Sequence, residues 1–367
     1  MISFPTDWAS IQARIKSIQP KSYGYSRNFV DGAVTYLSPY ISRGVISTLT
    51  VWEEIKSRGL PWNDVEKLVQ ELAWRDYFQR LAIEKNVDED IKNEQSGARY
   101  QGIPISIINA TTGINAIDNA IKKLYQTGYM HNHHRMYVAS LVCNLGQSHW
   151  KNGAQWMYYH LLDGDWASNA CSWQWVAGSN SLKKYYANQD NINKFDRSHQ
   201  TGTFLDMPTD ELQYQPLVEA LSINQTWHPA NKLPNFNKVS LDPKLPLCIY
   251  TAYNLDARWK SNLTANRVLL LEPCHYEKYA VGEAVIQFII GLSQNILGIQ
   301  IFTGSFSELM LHYKGAEIYY KEHPFAGHYN GIREERDWLT PELSGYYPSF
   351  FSYWKKMEKI LKERYHS

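Results

Sequence analysis

The segment LDGDWASNACSWQWVAG, from Leu162 to Gly178, combines acidic, amide and indole side chains at helical spacing. Asp165, Asn169 and Trp173 follow one another at steps of four, so on a helix they lie on one face. A carboxylate, an amide and an indole in one stripe suit a polar ring ligand whose edge is hydrogen-bonded beside an electron-rich aromatic. The segment fits a purely structural helix about as well, with Asp165 as N-cap and Gly178 as C-cap.

A second segment, ELAWR, places Glu71, Trp74 and Arg75 at i, i+3 and i+4. These three side chains share a helix face, where the carboxylate can bind the polar edge of a base and the indole can cover its ring. The alternative is a surface ion pair between Glu71 and Arg75, with Trp74 facing the core.

The segment HNHHRM repeats this spacing with Asn132, Arg135 and Met136. Its three neighbouring histidines raise the question of a metal site. They lack a nearby acidic or cysteine ligand, so no metal is predicted.

Four segments occur in the order VTYLSPYISRGVIS, ELAWRDYF, GYMHNHHRMYVASL and LDGDWASNACSWQW. Together they resemble the flavin-binding helical domain of the DNA photolyase/cryptochrome family. The resemblance covers roughly residues 20 to 200 and implies FAD as cofactor, whereas no antenna chromophore is specified.

The resemblance implies a set of flavin-binding residues. Arg135 is expected to pair with Asp163 beside the flavin ring, and Asn169 to face the reactive flavin nitrogen. Hydroxyls and N–H groups at the start of a helix suit the flavin diphosphate, although Ser38-Pro39 also fits an ordinary N-cap followed by proline. The implied cofactor-binding residues are Tyr23, Thr35, Leu37, Ser38, Arg75, Asn132, Arg135, Asp163, Asp165 and Asn169.

The same resemblance implies a substrate, ultraviolet-damaged DNA. Asn132 and Met136 stand where enzymes for (6-4) photoproducts have histidines that donate protons, so the pattern resembles enzymes for cyclobutane pyrimidine dimers. A flipped dimer is expected to meet Glu71, Trp74, Trp175, Asn132 and Met136. Arg27 and His133 are expected near the DNA. The alternatives are a cryptochrome-like photoreceptor that binds FAD without repair, and a flavin-binding protein without a light function.

Trp173 and Trp150 match the first two members of the family's electron-transfer chain of tryptophans. The third is missing, because the sequence has no tryptophan between Trp74 and Trp150. Tyr100 is a candidate substitute.

Composition limits the other functions. The net charge of +1 argues against a strongly basic nucleic-acid binder but permits a local basic patch. The four cysteines lack CxxC spacing, which favours reduced thiols and a cytoplasmic location. No signal peptide is visible, and the most apolar run, 284–297, is too short to span a bilayer. No oligomeric state is predicted.

Hydrophobic periodicity divides the chain into a helical half, a proline-rich linker and an α/β half with a parallel sheet, at residues 1–207, 208–246 and 247–367. Photolyases generally carry an α/β domain before the helical one, so the order here is reversed and favours a permuted, photolyase-like antenna domain. The strands are predicted at Leu247–Ala252, Arg267–Glu272, Ile299–Thr303 and Ala316–Lys321.

Overall fold

The structure is a computed structural model and describes residues 2–229, 232–315 and 317–366. Among these residues, no helix is both long and apolar enough to cross a membrane. Within the same ranges, no group of three or more His, Cys, Asp or Glu side chains could hold a metal ion.

The first 207 residues are mainly helical, as predicted. Their helices are α1 (Trp8–Lys16), α2 (Pro20–Ser26), α3 (Ser38–Ser42), α4 (Thr48–Ser57), α5 (Trp62–Glu84), α6 (Ile105–Ile108), α7 (Asn115–Thr127), α8 (Asn132–Ser140), α9 (Trp150–His160), α10 (Trp166–Ala177) and α11 (Gln189–Asp196). A π-helical turn, Leu141–Leu145, follows α8 directly.

The helix that carries the first motif, α10, has clear local start and stop signals. Asp165 is its N-cap and accepts a hydrogen bond from the Ser168 backbone N–H at 3.0 Å. Gly178 ends the helix in the left-handed conformation, with φ of 85°. The structural interpretation of these two residues is therefore correct, and it does not exclude a binding role for the face between them.

The C-terminal half is built on a sheet whose observed pairs are all parallel. Its strands are β3 (Leu247–Tyr250), β4 (Asn266–Leu271), β5 (Ile299–Thr303), β6 (Ile318–Lys321) and β7 (Ile332–Glu334). The helices of this half are α12 (Pro273–Lys278), α13 (Glu283–Ser293), α14 (Phe306–His312) and α15 (Phe350–His366). Two short antiparallel strands, β1 (Ile103–Pro104) and β2 (Asn224–Gln225), pair separately.

The strand order β5-β4-β3-β6-β7 identifies a doubly wound sheet. Strands β4 and β5 are added on one side of β3, and β6 and β7 on the other, so the strand order reverses between β3 and β6. At such a point, open α/β sheets form a crevice at the carboxyl ends of their strands. Alternate residues of β3 and β4 enter a core under α14, as the two-residue period of a strand requires. This core contains Leu247, Ile249, Val268, Leu270, Phe302, Phe306 and Leu309.

The described chain divides into two compact units, and each is discontinuous in sequence. Unit 1 consists of Met1–Ile18, Thr35–Asp76 and Ala230–Ser367, and unit 2 of Gln19–Val34 and Tyr77–Pro229. Unit 1 joins both ends of the chain through contacts such as Trp8 N to Asn295 Oδ1 at 2.9 Å. The limits predicted at 207 and 247 follow the change in secondary structure, whereas the compact units follow these long-range contacts.

The predicted mainly helical half and parallel α/β half are both confirmed. Of the four predicted strands, Ile299–Thr303 has the predicted limits, and Ala316 lies outside the described residues. Strand β7 was not predicted, because its three residues are largely exposed and carry no apolar run. The predicted linker contains β2 and two short 3-10 turns, in which Leu212 and Leu221 are buried.

Candidate flavin and electron-transfer site

The strongest polar contact of the predicted site is an ion pair in unit 2. Arg135 Nη2 donates to both carboxylate oxygens of Asp163, at 3.0 and 2.8 Å. The Asp163 side chain is only 4% exposed, and the Arg135 Nε donates to the Met130 carbonyl at 2.8 Å. The guanidinium is therefore fixed by two partners. Removal of Arg135 or of Asp163 would leave the other residue of the ion pair with an uncompensated charge.

The next two residues of the motif, Asn169 and Asp165, are bound by residues of α9 and α5. Asn169 Nδ2 donates to the Ala154 carbonyl at 2.8 Å, which fixes the orientation of the amide. The side-chain oxygen of Asn169, Oδ1, makes no hydrogen bond within the described ranges, so it is available to accept a hydrogen bond from a ligand N–H. Gln79 Nε2 contacts the second oxygen of Asp165, whose first oxygen caps α10. These side chains fit the hydrogen-bonding edge of a flavin.

Trp173 is packed against the backbone of α9. A Cβ atom placed on Gly153 would lie 2.5 and 2.6 Å from Trp173 Cζ3 and Cη2. Only glycine leaves room for the indole at this position. Trp150 lies one turn earlier on α9, and both tryptophans are buried. Both predicted electron-transfer residues are thus buried, Trp150 at the start of α9 and Trp173 against Gly153 of the same helix.

Trp150 has a carboxylate partner that the sequence did not reveal. Its Nε1 donates to Asp90 Oδ1 at 2.6 Å, and its backbone N donates to Gln95 Oε1 at 2.8 Å. Tyr100, proposed above as a third electron donor, lies beside this region through a hydrogen bond from His149 N to its carbonyl at 2.7 Å. No contact between the Tyr100 and Trp150 rings is found in the described chain.

Helix α8 presents the residues expected to discriminate between DNA lesions. Asn132 is exposed, and its Nδ2 lies 3.7 Å from Met136 Sδ. His133 packs against Phe195, with ring centroids 4.9 Å apart. Desolvation, reinforced by His134 and Arg27, lowers the pKa of His133 to about 4. The imidazole is therefore neutral near pH 7 and supplies no positive charge for a phosphate.

Three other predicted residues belong to unit 2. Tyr23 lies on α2, Arg27 follows the last residue of α2, and Trp175 lies on α10. Arg27 lies at the end of α2, with its guanidinium carbon 6.0 Å from the Tyr23 ring centroid. The Arg27 carbonyl is 3.0 Å from His131 Nε2. Trp175 is 40% exposed and packs at a tilt against Tyr185, with centroids 5.6 Å apart. One broad face of an exposed indole of this kind can stack on a base.

The predicted phosphate clamp belongs to unit 1. Thr35 Oγ1 accepts a hydrogen bond from Leu37 N at 3.3 Å, and Tyr36 between them has φ of 52°. A left-handed tyrosine is strained, and such strain often marks a functional segment. Ser38 is the first residue of α3 and Leu37 is its N-cap, without a side-chain cap. The alternative assignment of Ser38 as N-cap is therefore wrong by one residue.

The ELAWR residues also belong to unit 1, on α5. Arg75 Nη2 contacts Ser42 Oγ. Trp74 stacks face to face on Phe350 from α15, with centroids 3.6 Å apart and ring planes 9° apart. Glu71, Trp74 and Arg75 are all partly exposed. Phe350 therefore covers one face of the Trp74 indole, which is otherwise partly exposed.

A crevice opens in unit 1 at the carboxyl ends of β3, β4 and β6, where the strand order reverses. Tyr253 stacks on His323 with centroids 4.3 Å apart, and its hydroxyl lies 3.0 Å from His275 Nε2. Burial, with Arg43 and Lys278 nearby, lowers the pKa of His275 to about 3. The crevice lining is mostly aromatic and contains one acidic side chain, Glu272, which accepts a hydrogen bond from Tyr329 Oη at 2.7 Å.

Sequence reasoning missed Gln79, Asp90 and Phe350. Gln79 could have been predicted from the sequence, because it extends the helical series Glu71, Arg75 by one further step of four. Asp90 and Phe350 gave no such signal, since each reaches its partner from a distant part of the chain.

Comparison with known proteins identifies a domain and several relatives. Residues 68–250 match the FAD binding domain of DNA photolyase. The chain is 33% identical over 174 residues to the deoxyribodipyrimidine photo-lyase of Agrobacterium fabrum, a match that covers 43% of this chain and 35% of that protein. It is 31% identical over 175 residues to the chloroplastic/mitochondrial cryptochrome DASH of Ostreococcus tauri, which covers 46% and 31%.

Among solved structures, a bacterial class III photolyase from Agrobacterium tumefaciens aligns over 51% of this chain and 43% of its own, with 28% identity and a TM-score of 0.41. Each of these three matches spans less than half the length of the known protein. The chain belongs to the photolyase/cryptochrome family and carries its FAD-binding domain.

Proposed function

We propose that this protein repairs cyclobutane pyrimidine dimers in DNA with light. The observation that carries the proposal is the exposed Asn132 with its amide against Met136 Sδ. Neither side chain can donate a proton to a lesion near neutral pH, so this surface suits a reaction that needs only an electron. Reduced FAD, when bound, supplies that electron on illumination.

The residues of unit 2 support this role by holding and orienting the cofactor. The ion pair with Asp163 fixes the Arg135 guanidinium in place beside the flavin ring. The side-chain oxygen of Asn169 can accept a hydrogen bond from the N–H of the flavin ring. An asparagine at this position adds no negative charge, which favours a reduced flavin. Trp175 offers an indole face for a base, and Arg27 a charge for the DNA backbone.

The test uses reduced, FAD-loaded protein with an ultraviolet-irradiated oligonucleotide. After illumination, dimers are expected to disappear while (6-4) photoproducts remain. Glu71→Gln should weaken dimer binding or repair, whereas Glu84→Gln, an exposed carboxylate at the end of the same helix, should leave both unchanged. Loss of (6-4) products alone would refute the assignment of Asn132 and Met136.

A cryptochrome-like photoreceptor is the second candidate. It is favoured by the stack of Phe350 on Trp74, which covers one face of an indole expected at the lesion, and by the neutral His133. On this alternative, FAD is photoreduced but neither lesion is removed. If Phe350→Leu then increased the affinity for dimer-containing DNA, helix α15 would be acting as a cover over Trp74.

We also propose that the α/β half is a permuted antenna domain. The support is its doubly wound strand order. Purified protein should then release a second chromophore besides FAD on denaturation.

A further inference from the structure

We propose that Asp90 receives the indole proton of Trp150 when this tryptophan is oxidised, so that the electron vacancy comes to rest on Trp150 and not on Trp173. The inference rests on the proposed role of the two tryptophans in reducing the flavin. It assigns a function to a carboxylate outside every motif described above.

Asp90 is positioned for proton transfer. Its Oδ1 accepts the Trp150 Nε1 hydrogen bond at 2.6 Å, a short distance typical of strong bonds to ionised acceptors. Its Oδ2 accepts from the Gln95 backbone N–H at 2.7 Å, which fixes the carboxylate. The Trp150 side chain is fully buried, whereas the Asp90 side chain is 16% exposed. Asp90 can therefore exchange a proton with water, and Trp150 cannot.

Trp173 lacks both advantages. Its Nε1 is buried and has no hydrogen-bond acceptor in the part of the chain that the structure describes. A positive charge formed on Trp173 would have neither a base to take its proton nor a hydrogen-bonded anion. An indole radical cation is a far stronger acid than neutral indole, so the tryptophan with a bound carboxylate is the more favourable place for the vacancy. This asymmetry directs electrons from Trp150 toward Trp173.

The route transfers one electron at a time and one proton. With FAD bound and excited by light, Trp173 would give one electron to the oxidised flavin, and Trp150 would then give one electron to Trp173. The N–H bond of Trp150 breaks, and its proton forms an O–H bond on Asp90 Oδ1. Trp150 remains as a neutral radical beside a neutral carboxylic acid. A soluble thiol can later return one electron to Trp150, becoming a thiyl radical and releasing its own proton to water, while Asp90 returns the indole proton.

Trp166 and Asp88 provide a matched control in the same unit. Trp166 Nε1 donates to Asp88 Oδ1 at 2.6 Å, and Trp166 is also buried. This pair repeats the hydrogen bond of Trp150 and Asp90, but Trp166 is outside the predicted electron-transfer chain. Asp88→Asn therefore removes an equivalent carboxylate without touching the proposed route.

The experiment is transient absorption of FAD-loaded protein after a laser pulse, because cationic and neutral tryptophan radicals absorb at different visible wavelengths. Wild-type protein and Asp88→Asn should form the neutral radical, more slowly in D2O than in H2O. In Asp90→Asn the tryptophan radical should stay a cation, and the isotope effect should be lost. The yield of long-lived reduced flavin should fall about tenfold or more, which is at the low end of the effect of removing a positioned base. Asp90→Glu should restore the neutral radical.

A second measurement needs no flavin. Ultraviolet resonance Raman spectra of the FAD-free protein report the hydrogen bonds of indole N–H groups and the integrity of the fold. Asp90→Asn and Asp88→Asn should each weaken one such bond in an otherwise unchanged spectrum. A neutral radical that forms in Asp90→Asn at the wild-type rate would overturn the role of Asp90 alone. Unchanged photoreduction in Trp150→Phe and Trp173→Phe would overturn the proposed tryptophan route and this inference with it.

Discussion

Gly153 allows the closest packing in the predicted electron-transfer site, and replacing it with alanine tests that packing. The added Cβ would lie 2.5 Å from Trp173 Cζ3, 2.6 Å from Cη2 and 3.2 Å from Val142 Cγ1. Carbon atoms pack best at about 3.5–4.0 Å, so the indole must move by about 1 Å. Trp173 is only 2% exposed, so almost none of the indole faces solvent.

The expected size of the effect is a difference of two contributions. Overpacking of a filled core costs about 1–3 kcal/mol. The change from glycine to alanine within a helix recovers at most about 1 kcal/mol. We therefore expect Gly153→Ala to lower the free energy of unfolding by about 1–2 kcal/mol, and to disturb the hydrogen bond from Asn169 to the neighbouring Ala154.

The assay is equilibrium denaturation followed by circular dichroism, with photoreduction of the loaded protein as a second readout. Gly291→Ala on α13 is the matched control, because its Cβ would meet the side chain of Thr6 at 2.9 Å, and a threonine methyl can turn away. Gly153→Ala should be the less stable of the two variants and should also photoreduce more slowly. If Gly153→Ala is more stable than wild type, the rigid contact with Trp173 is wrong.

Three further predictions follow from the same contacts. Asp163→Ala should remove the partner of a largely buried guanidinium and cost about 3–5 kcal/mol in fold or FAD retention, while Asp163→Asn should cost less. Flavin absorbance and unfolding measure both variants, and an equal loss in the two would show that the negative charge of Asp163 is not what stabilises the site. Because desolvation lowers the pKa of His131 to about 4, the unfolded chain binds protons first as the pH falls from about 6.5 to about 4, so stability should decrease over this window. His131→Gln should reduce that slope in pH-dependent unfolding. Trp175→Ala should weaken binding of dimer-containing DNA by about 1–3 kcal/mol in a titration, with unchanged FAD content; full affinity would exclude stacking on Trp175.

The sequence predicted local features well and distant partners poorly. Start and stop residues of α10 and the spacing of Asn132, Arg135 and Met136 are short-range patterns, and the structure places them on helices as expected. The pairing of Arg135 with Asp163 was implied by family resemblance and is found at 2.8 Å, whereas its role beside the flavin stays a prediction.

The contacts that were missed join segments far apart in the chain. Phe350 is separated from Trp74 by the whole length between the ELAWR motif and α15. Asp90 is separated from Trp150 by the three helices α6, α7 and α8. Hydrophobic periodicity describes which face of an element is buried but not which partner covers it. The compact units were missed for the same reason, since they depend on such pairings.

The discontinuity of unit 1 has a consequence for synthesis of the protein on the ribosome. Its first two segments end at Asp76, and their partners in Ala230–Ser367 emerge only after about 150 further residues. At 5–20 residues per second, the first two segments wait about 10–30 s. During this time Asp76 lacks the Leu339 N–H that it later binds at 2.8 Å, and Tyr40 lacks its ring contact with Phe288. All segments of unit 2 are made before the last segment of unit 1, so unit 2 can fold first. Nascent chains should therefore expose the apolar surfaces of α1, α3 and α4 to chaperones until the last third of the protein is made.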